Sequence, residues 1–73
     1  MLDVSLVSAD HVRRYSIALA GVDGWDVMLE EDRAVRWKET WTDWHRVERA
    51  WAQIDREVGT LLELGWRLEA VSQ

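Results

Sequence analysis

Trp44, Val47, Trp51, Ile54, Val58 and Leu61 recur at intervals of three, four, three, four and three residues. That period lines them along one face of an α-helix, whereas strand side chains alternate every second residue. Arg46, Arg49, Gln53, Arg56, Glu57 and Glu63 fall mostly on the other faces. A helix is therefore expected over about 43–64. Thr42 is placed to cap it, and Asp43 puts an acid in the first turn, where the helix dipole favours one. Gly65 supplies the left-handed residue that ends it, with Trp66 folding back on Leu61 in a Schellman ending. Gly59 costs about 1 kcal/mol against alanine in a helix interior, which points to a close backbone approach there. Ala50 and Leu62 widen the stripe, enough to cover a sheet of the same chain and leave some surface for a partner.

Upstream of the helix the period changes to two. Leu2, Val4 and Leu6 alternate with Asp3 and Ser5, giving a strand over about 2–7, and Ser8 to His11 form a turn. Residues 12–20 read as a strand, with Arg13, Tyr15, Ile17 and Leu19 on one face, or as a helix between Ser8 and Gly21. The strand is preferred, because Asp23-Gly24 signals a tight primed hairpin turn and Trp25, Val27 and Leu29 alternate after it, over about 25–30. Glu31-Asp32-Arg33 is a further turn. A strand over about 34–40 points Val35, Trp37 and Trp41 inward and Arg36, Lys38 and Thr40 outward, with Glu39 the misfit. The competitor is one long helix from about Glu30 to Leu64, since Ala34, Trp37, Trp41 and Trp44 also keep three-four spacing. The seam slips between Trp44 and Val47, and Thr40-Trp41-Thr42 favours a strand and then a cap, so the break is placed there. Trp66, Leu68 and Ala70 alternate as a short last strand over about 66–71. The expected fold is α+β: an antiparallel meander, one amphipathic helix across its apolar face, and a short C-terminal strand, in a single domain over 1–73.

A chain of 73 residues has a marginal core. With no cysteine, neither a disulfide nor a thiolate metal site can staple it, and a reducing, cytoplasmic setting is the expected one. Six tryptophans stand in for the absent phenylalanine. Self-association is the other route to stability for so small a domain. The formal charge of -5 opposes non-specific binding to phosphate or anionic lipid. No apolar run reaches the ~18–20 residues of a membrane span, and the opening Met1-Leu2-Asp3 lacks the basic start of a signal peptide.

Trp25, Trp37, Trp44 and Trp51 fall on apolar faces and are assigned to the core. Trp41 and Trp66, near element ends, are the candidates for partner binding, because tryptophan dominates interface hot spots. Arg14, Arg36 and Lys38 share the outer sheet face with Arg13 nearby. These four are the candidate contacts for an anion or nucleic acid, although Asp26 and Glu30 between them favour a solvated, balanced face. His45 and Glu48 make only half a metal site, and His11 is distant. No catalytic, phosphate-binding or cofactor motif is present. The functional expectation is a small non-enzymatic protein-interaction module that self-associates, with an unknown protein as the other partner it could take. The alternative is a nucleic-acid-binding domain.

From Tyr15 onward the layout resembles the WGR-type domain, a small β-sheet with one helix. Val35-Arg36-Trp37-Lys38 stands where that family's arginine- and tryptophan-containing motif would be, and Leu64-Gly65-Trp66 where its glycine-aromatic ending would be. Lys38 and Glu39 replace the glycine and arginine that follow the family's tryptophan. The resemblance implies binding of DNA ends or of another domain through the sheet, and carries no functional residues onto this chain.

Overall fold

The structure, a computed structural model, describes residues 2–69. Four strands, β1 (Leu2–Ser8), β2 (His11–Ala20), β3 (Gly24–Glu31) and β4 (Ala34–Trp41), run as an antiparallel meander. The helix α1 (Trp44–Glu63) follows, then β5 (Arg67–Leu68), which pairs with β1. The sheet order is β4-β3-β2-β1-β5, so β4 is a long free edge. The α+β architecture expected from the sequence is the one observed. Residues 12–20 lie in a strand, and the helix begins after Thr42 rather than near residue 30. Of the last strand, residues 67 and 68 are paired, and residues 70 and 71 lie outside the described residues.

The register explains the core. Across the sheet, Leu2, Ile17, Val27 and Glu39 are aligned on one face, as are Val4, Tyr15, Leu29 and Trp37. Helix α1 lies over this face. Leu6, Tyr15, Ile17 and Val27 from the sheet and Val47, Ile54 and Leu61 from the helix form the buried core. The three helix residues recur every seven positions, so the seam read from the sequence is real but narrow. Trp51, Val58 and Ala50 flank it and are only half-buried. Each buried aliphatic side chain contributes about 1.5–3 kcal/mol relative to exposure.

Several local expectations are corrected. The helix cap is Asp43, not Thr42: its Oδ1 accepts the His45 amide at 2.9 Å. In the β2–β3 connection the left-handed residue is Gly21 (φ +66), in a three-residue loop closed by the Ala20–Gly24 pair. Asp23-Gly24 is therefore not the turn. Gly24 serves close packing instead, since a Cβ there would lie 3.0 Å from the Ala20 carbonyl oxygen. The primed two-residue turn occurs one hairpin later, at Asp32 (φ +50) and Arg33 (φ +70). Nothing lies within 4 Å of a Cβ placed on Gly59, so that glycine marks no close approach. The helix ending is the expected one: Trp66 N–H donates to the Leu61 carbonyl at 3.0 Å and Gly65 N–H to that of Leu62 at 3.1 Å, with Gly65 at φ +101.

A bulge in β4 changes which way its first residues face. Leu29 pairs with Trp37 but Glu30 pairs with Val35, so Arg36 is an extra residue. Val35 is thereby turned to the outer face beside Glu30, where it is exposed, instead of pointing inward as expected.

Candidate functional site

The tryptophans divide differently from the sequence assignment. Trp41 and Trp66, the candidate contact residues, are half-buried and pack against the core. Trp37 and Trp44, assigned to the core, are 41% and 36% exposed. The cause is position. Trp44 is the first helical residue and meets Trp25 at the end of the sheet, with ring centroids 5.0 Å apart. Trp37 stands on the free edge strand, beyond the reach of a helix seam one residue wide.

That mismatch leaves a cleft of about 390 Å³ between the β3–β4 side of the sheet and α1. Tyr15, Val27, Leu29, Trp37 and Trp41 line it from the sheet, and Ala50, Gln53, Ile54 and Glu57 from the helix. Trp37 and Trp41, four residues apart on one strand face, meet edge to face at 5.7 Å and 60°. Glu39 rises from the same face between them, opposite the buried Val27. Ala50 is the small residue on the helix that keeps the recess from being filled.

A chain of polar contacts runs from Tyr15, which lines the cleft, to Arg13 and Glu31 outside its lining. The Arg13 guanidinium donates to the Glu31 carboxylate at 2.8 Å and to the Tyr15 hydroxyl at 3.4 Å, and its central carbon lies 5.7 Å from the centre of the Trp66 ring. Burial pushes the Tyr15 phenol above its ordinary pKa, and the neighbouring Glu57 carboxylate adds to that shift, while Arg13 opposes it. Arg13 therefore belongs to the helix-covered face, and its own Nε is buried without a partner.

The four candidate cations do not form one surface. Arg14, on the outer face, makes a two-pronged contact with Asp3 at 2.9 and 2.7 Å, which holds the Asp3 carboxyl below its ordinary pKa, and it also approaches Glu30. Lys38 reaches Asp26 at 3.9 Å on the same face, and Asp26 also accepts from the Thr40 hydroxyl. Arg36, displaced by the bulge, turns to Glu31 at 3.7 Å. Each cation is matched by a carboxylate, the balanced arrangement that Asp26 and Glu30 foreshadow in the sequence.

At the β3–β4 turn, Asp32 exchanges contacts with Val12: it accepts the Val12 amide at 2.9 Å through its side chain and donates its own amide to the Val12 carbonyl at 2.8 Å. The Val12 amide and the nearby His11 ring hold its carboxyl below the ordinary value. Among the described residues, no helix is long and apolar enough to cross a membrane, and no group of three or more His, Cys, Asp or Glu is placed to hold a metal ion.

The cleft was not read from the sequence, but two signals for it were present. Glu39 is a charge on an otherwise apolar strand face, and Ala50 is a small residue beside the helix seam. Compared with protein-family models, curated proteins and solved structures, the chain matches none of them.

Proposed function

We propose that this protein is a non-enzymatic protein-interaction module that receives part of another protein in the cleft between β4 and α1. The observation that carries this reading is the cleft itself: an apolar recess of about 390 Å³, left open beside a seven-residue core, with Trp37 standing in water at its edge. A marginal domain gains stability by filling such a space, so leaving it open costs burial that a partner can supply. The interdomain binding implied by the WGR-type layout agrees with this role. The cysteine-free chain suits a reducing compartment, and a cytoplasmic setting is part of the proposal.

A second copy of the chain is one candidate occupant of the cleft. Pairing of two copies through their β4 edges is opposed by charge in the registers centred on the middle of the strand. In a twofold antiparallel pair centred on Lys38 or Glu39, that residue meets its own like charge, and centring on Trp37 sets Arg36 against Lys38. The bulge and the inward-facing Glu39 further protect this edge. Nucleic-acid binding through Arg13, Arg14, Arg36 and Lys38 draws little support from cations that are each already paired.

The test is selection of a displayed random-peptide library on the wild type, with Ala50→Trp, which fills the cleft, and Trp37→Ala, outside the buried core, as controls. Peptides that bind the wild type and lose at least about tenfold in affinity to both variants support the reading. Failure to enrich any peptide, or peptides that bind all three proteins equally, overturns it. Sedimentation equilibrium of wild type and Ala50→Trp identifies a second copy as the partner if a dimer forms and the variant dissociates it.

A further inference from the structure

The carboxylates of this fold are unevenly matched. Asp3, Asp26, Glu30, Glu31 and Asp32 each lie within ion-pair distance of an arginine, lysine or histidine. Among the described residues eight carboxylates have no such partner, and two of these are placed at the cleft: Glu57 lines it, and Glu39 stands on the sheet face between its two tryptophans. Glu57 is on the helix wall, beside the Tyr15 hydroxyl and 3.4 Å from the Gln53 amide nitrogen. Glu39 is on the opposite, sheet side, between Trp37 and Trp41. Arg46 borders Trp41 at the Asp43 end and pairs with neither.

Between the two carboxylates are aromatic faces. Trp37 and Trp41 both line the cleft and meet edge to face at 5.7 Å. An aromatic face attracts a cation through its quadrupole, more strongly as water is removed. The floor of Val27, Leu29 and Ile54 is apolar and accommodates a methylene stem. A neutral apolar occupant would strip water from two carboxylates without compensation, and an anion would be repelled. The net charge of -5 steers cations toward the molecule.

Resting on the cleft-binding role proposed above, we infer that the group received is an organic cation on an apolar stem: a lysine or arginine side chain, or its N-methylated form, on a partner protein. Trp37 and Trp41 supply the aromatic contact, and Glu39 and Glu57 supply the charge.

The experiment is a titration of the full chain, followed by tryptophan indole NMR resonances, with two probes. One is Nα-acetyl-trimethyllysine methylamide. The other is its neutral counterpart, Nα-acetyl-norleucine methylamide. The expected result is that the trimethyllysine probe shifts the Trp37 and Trp41 resonances and binds about three- to thirtyfold more tightly than norleucine. That preference is expected to shrink in Glu39→Gln and Glu57→Gln and with rising salt. Glu39→Gln lies on the exposed edge strand, so it keeps the test valid if Glu57→Gln unfolds. Equal binding of both probes at the cleft removes the cation inference and leaves the cleft-binding role standing. A preference unchanged by either glutamine substitution also overturns the inference, as does the absence of any shift of Trp37 and Trp41.

Discussion

Replacing Ala50 with leucine distinguishes an open cleft from a filled one by the sign of its effect. Ala50 is half-buried on the helix wall, facing the recess rather than the packed seam of Val47, Ile54 and Leu61. Leucine adds three carbons. At about 0.8 kcal/mol per buried methylene they contribute about 2.4 kcal/mol if fully buried. The cleft opens to water on one side, so about half of that is realised, and ordering the longer side chain takes back roughly 0.5 kcal/mol. A net stabilisation of about 0.5–1 kcal/mol is expected. In a domain of this size it corresponds to an increase of roughly 2–8 °C in melting temperature. Were the helix instead packed down against Trp37, the same leucine would overpack the site and cost about 1–3 kcal/mol. Urea unfolding followed by tryptophan fluorescence resolves the two cases, provided the m-value is unchanged. Ala52→Leu, on the exposed side of the helix, is the control and is expected to change little. A loss of 1 kcal/mol or more in Ala50→Leu, with Ala52→Leu neutral, would refute the open cleft.

Three further outcomes follow from the backbone and its charges. Gly59→Ala should stabilise the protein by about 0.5–1 kcal/mol, because nothing obstructs a Cβ there; Gly65→Ala, at φ +101, should destabilise it by about 1–2 kcal/mol, and urea midpoints check both. Ala9, at φ +53 in the β1–β2 turn, is a non-glycine in the left-handed region, so Ala9→Gly should be neutral or stabilising by about 1 kcal/mol in the same assay. Asp3 and Asp32 have carboxyls held below the unfolded value of about 3.9. Their contribution is therefore complete above that pH and lost as pH falls through their lower folded values. Stability measured from pH 6 down to pH 2 should fall below about pH 4, with a shallower decline in Asp32→Asn.

The parts of the fold that were legible in the sequence are those set by short-range periodicity. Leu2-Val4-Leu6 and Trp25-Val27-Leu29 alternate within single strands, and the helix seam repeats within one element, so the register of side chains to faces follows directly. The misreadings occur where one residue or a distant neighbour decides the outcome. A single extra residue, Arg36, reverses the facing of Val35, and no alternation in the sequence marks it. Asp43 rather than Thr42 caps the helix because the chain turns one residue later, and both residue types cap well. Gly21 and Gly24 were both available for the hairpin, and the three-residue loop assigns the left-handed conformation to the first. The exposure of Trp37 depends on β4 being the sheet's edge and on where a narrow helix seam lands, and neither is a property of the residues around Trp37. For the same reason the cleft brings together Tyr15, Trp37 and Glu57 from three separate elements.

Solvent access along the cleft can be measured directly by NMR with a neutral, soluble paramagnetic agent that broadens resonances reached by water. The Ala50 methyl and Trp37 ring resonances are expected to broaden strongly, while the methyls of Ile17, Val27 and Val47, at 0–1% exposure, stay sharp. An Ala50 methyl and a Trp37 ring as well protected as Val47 would mean that α1 closes onto β4 and that no recess exists to receive a partner.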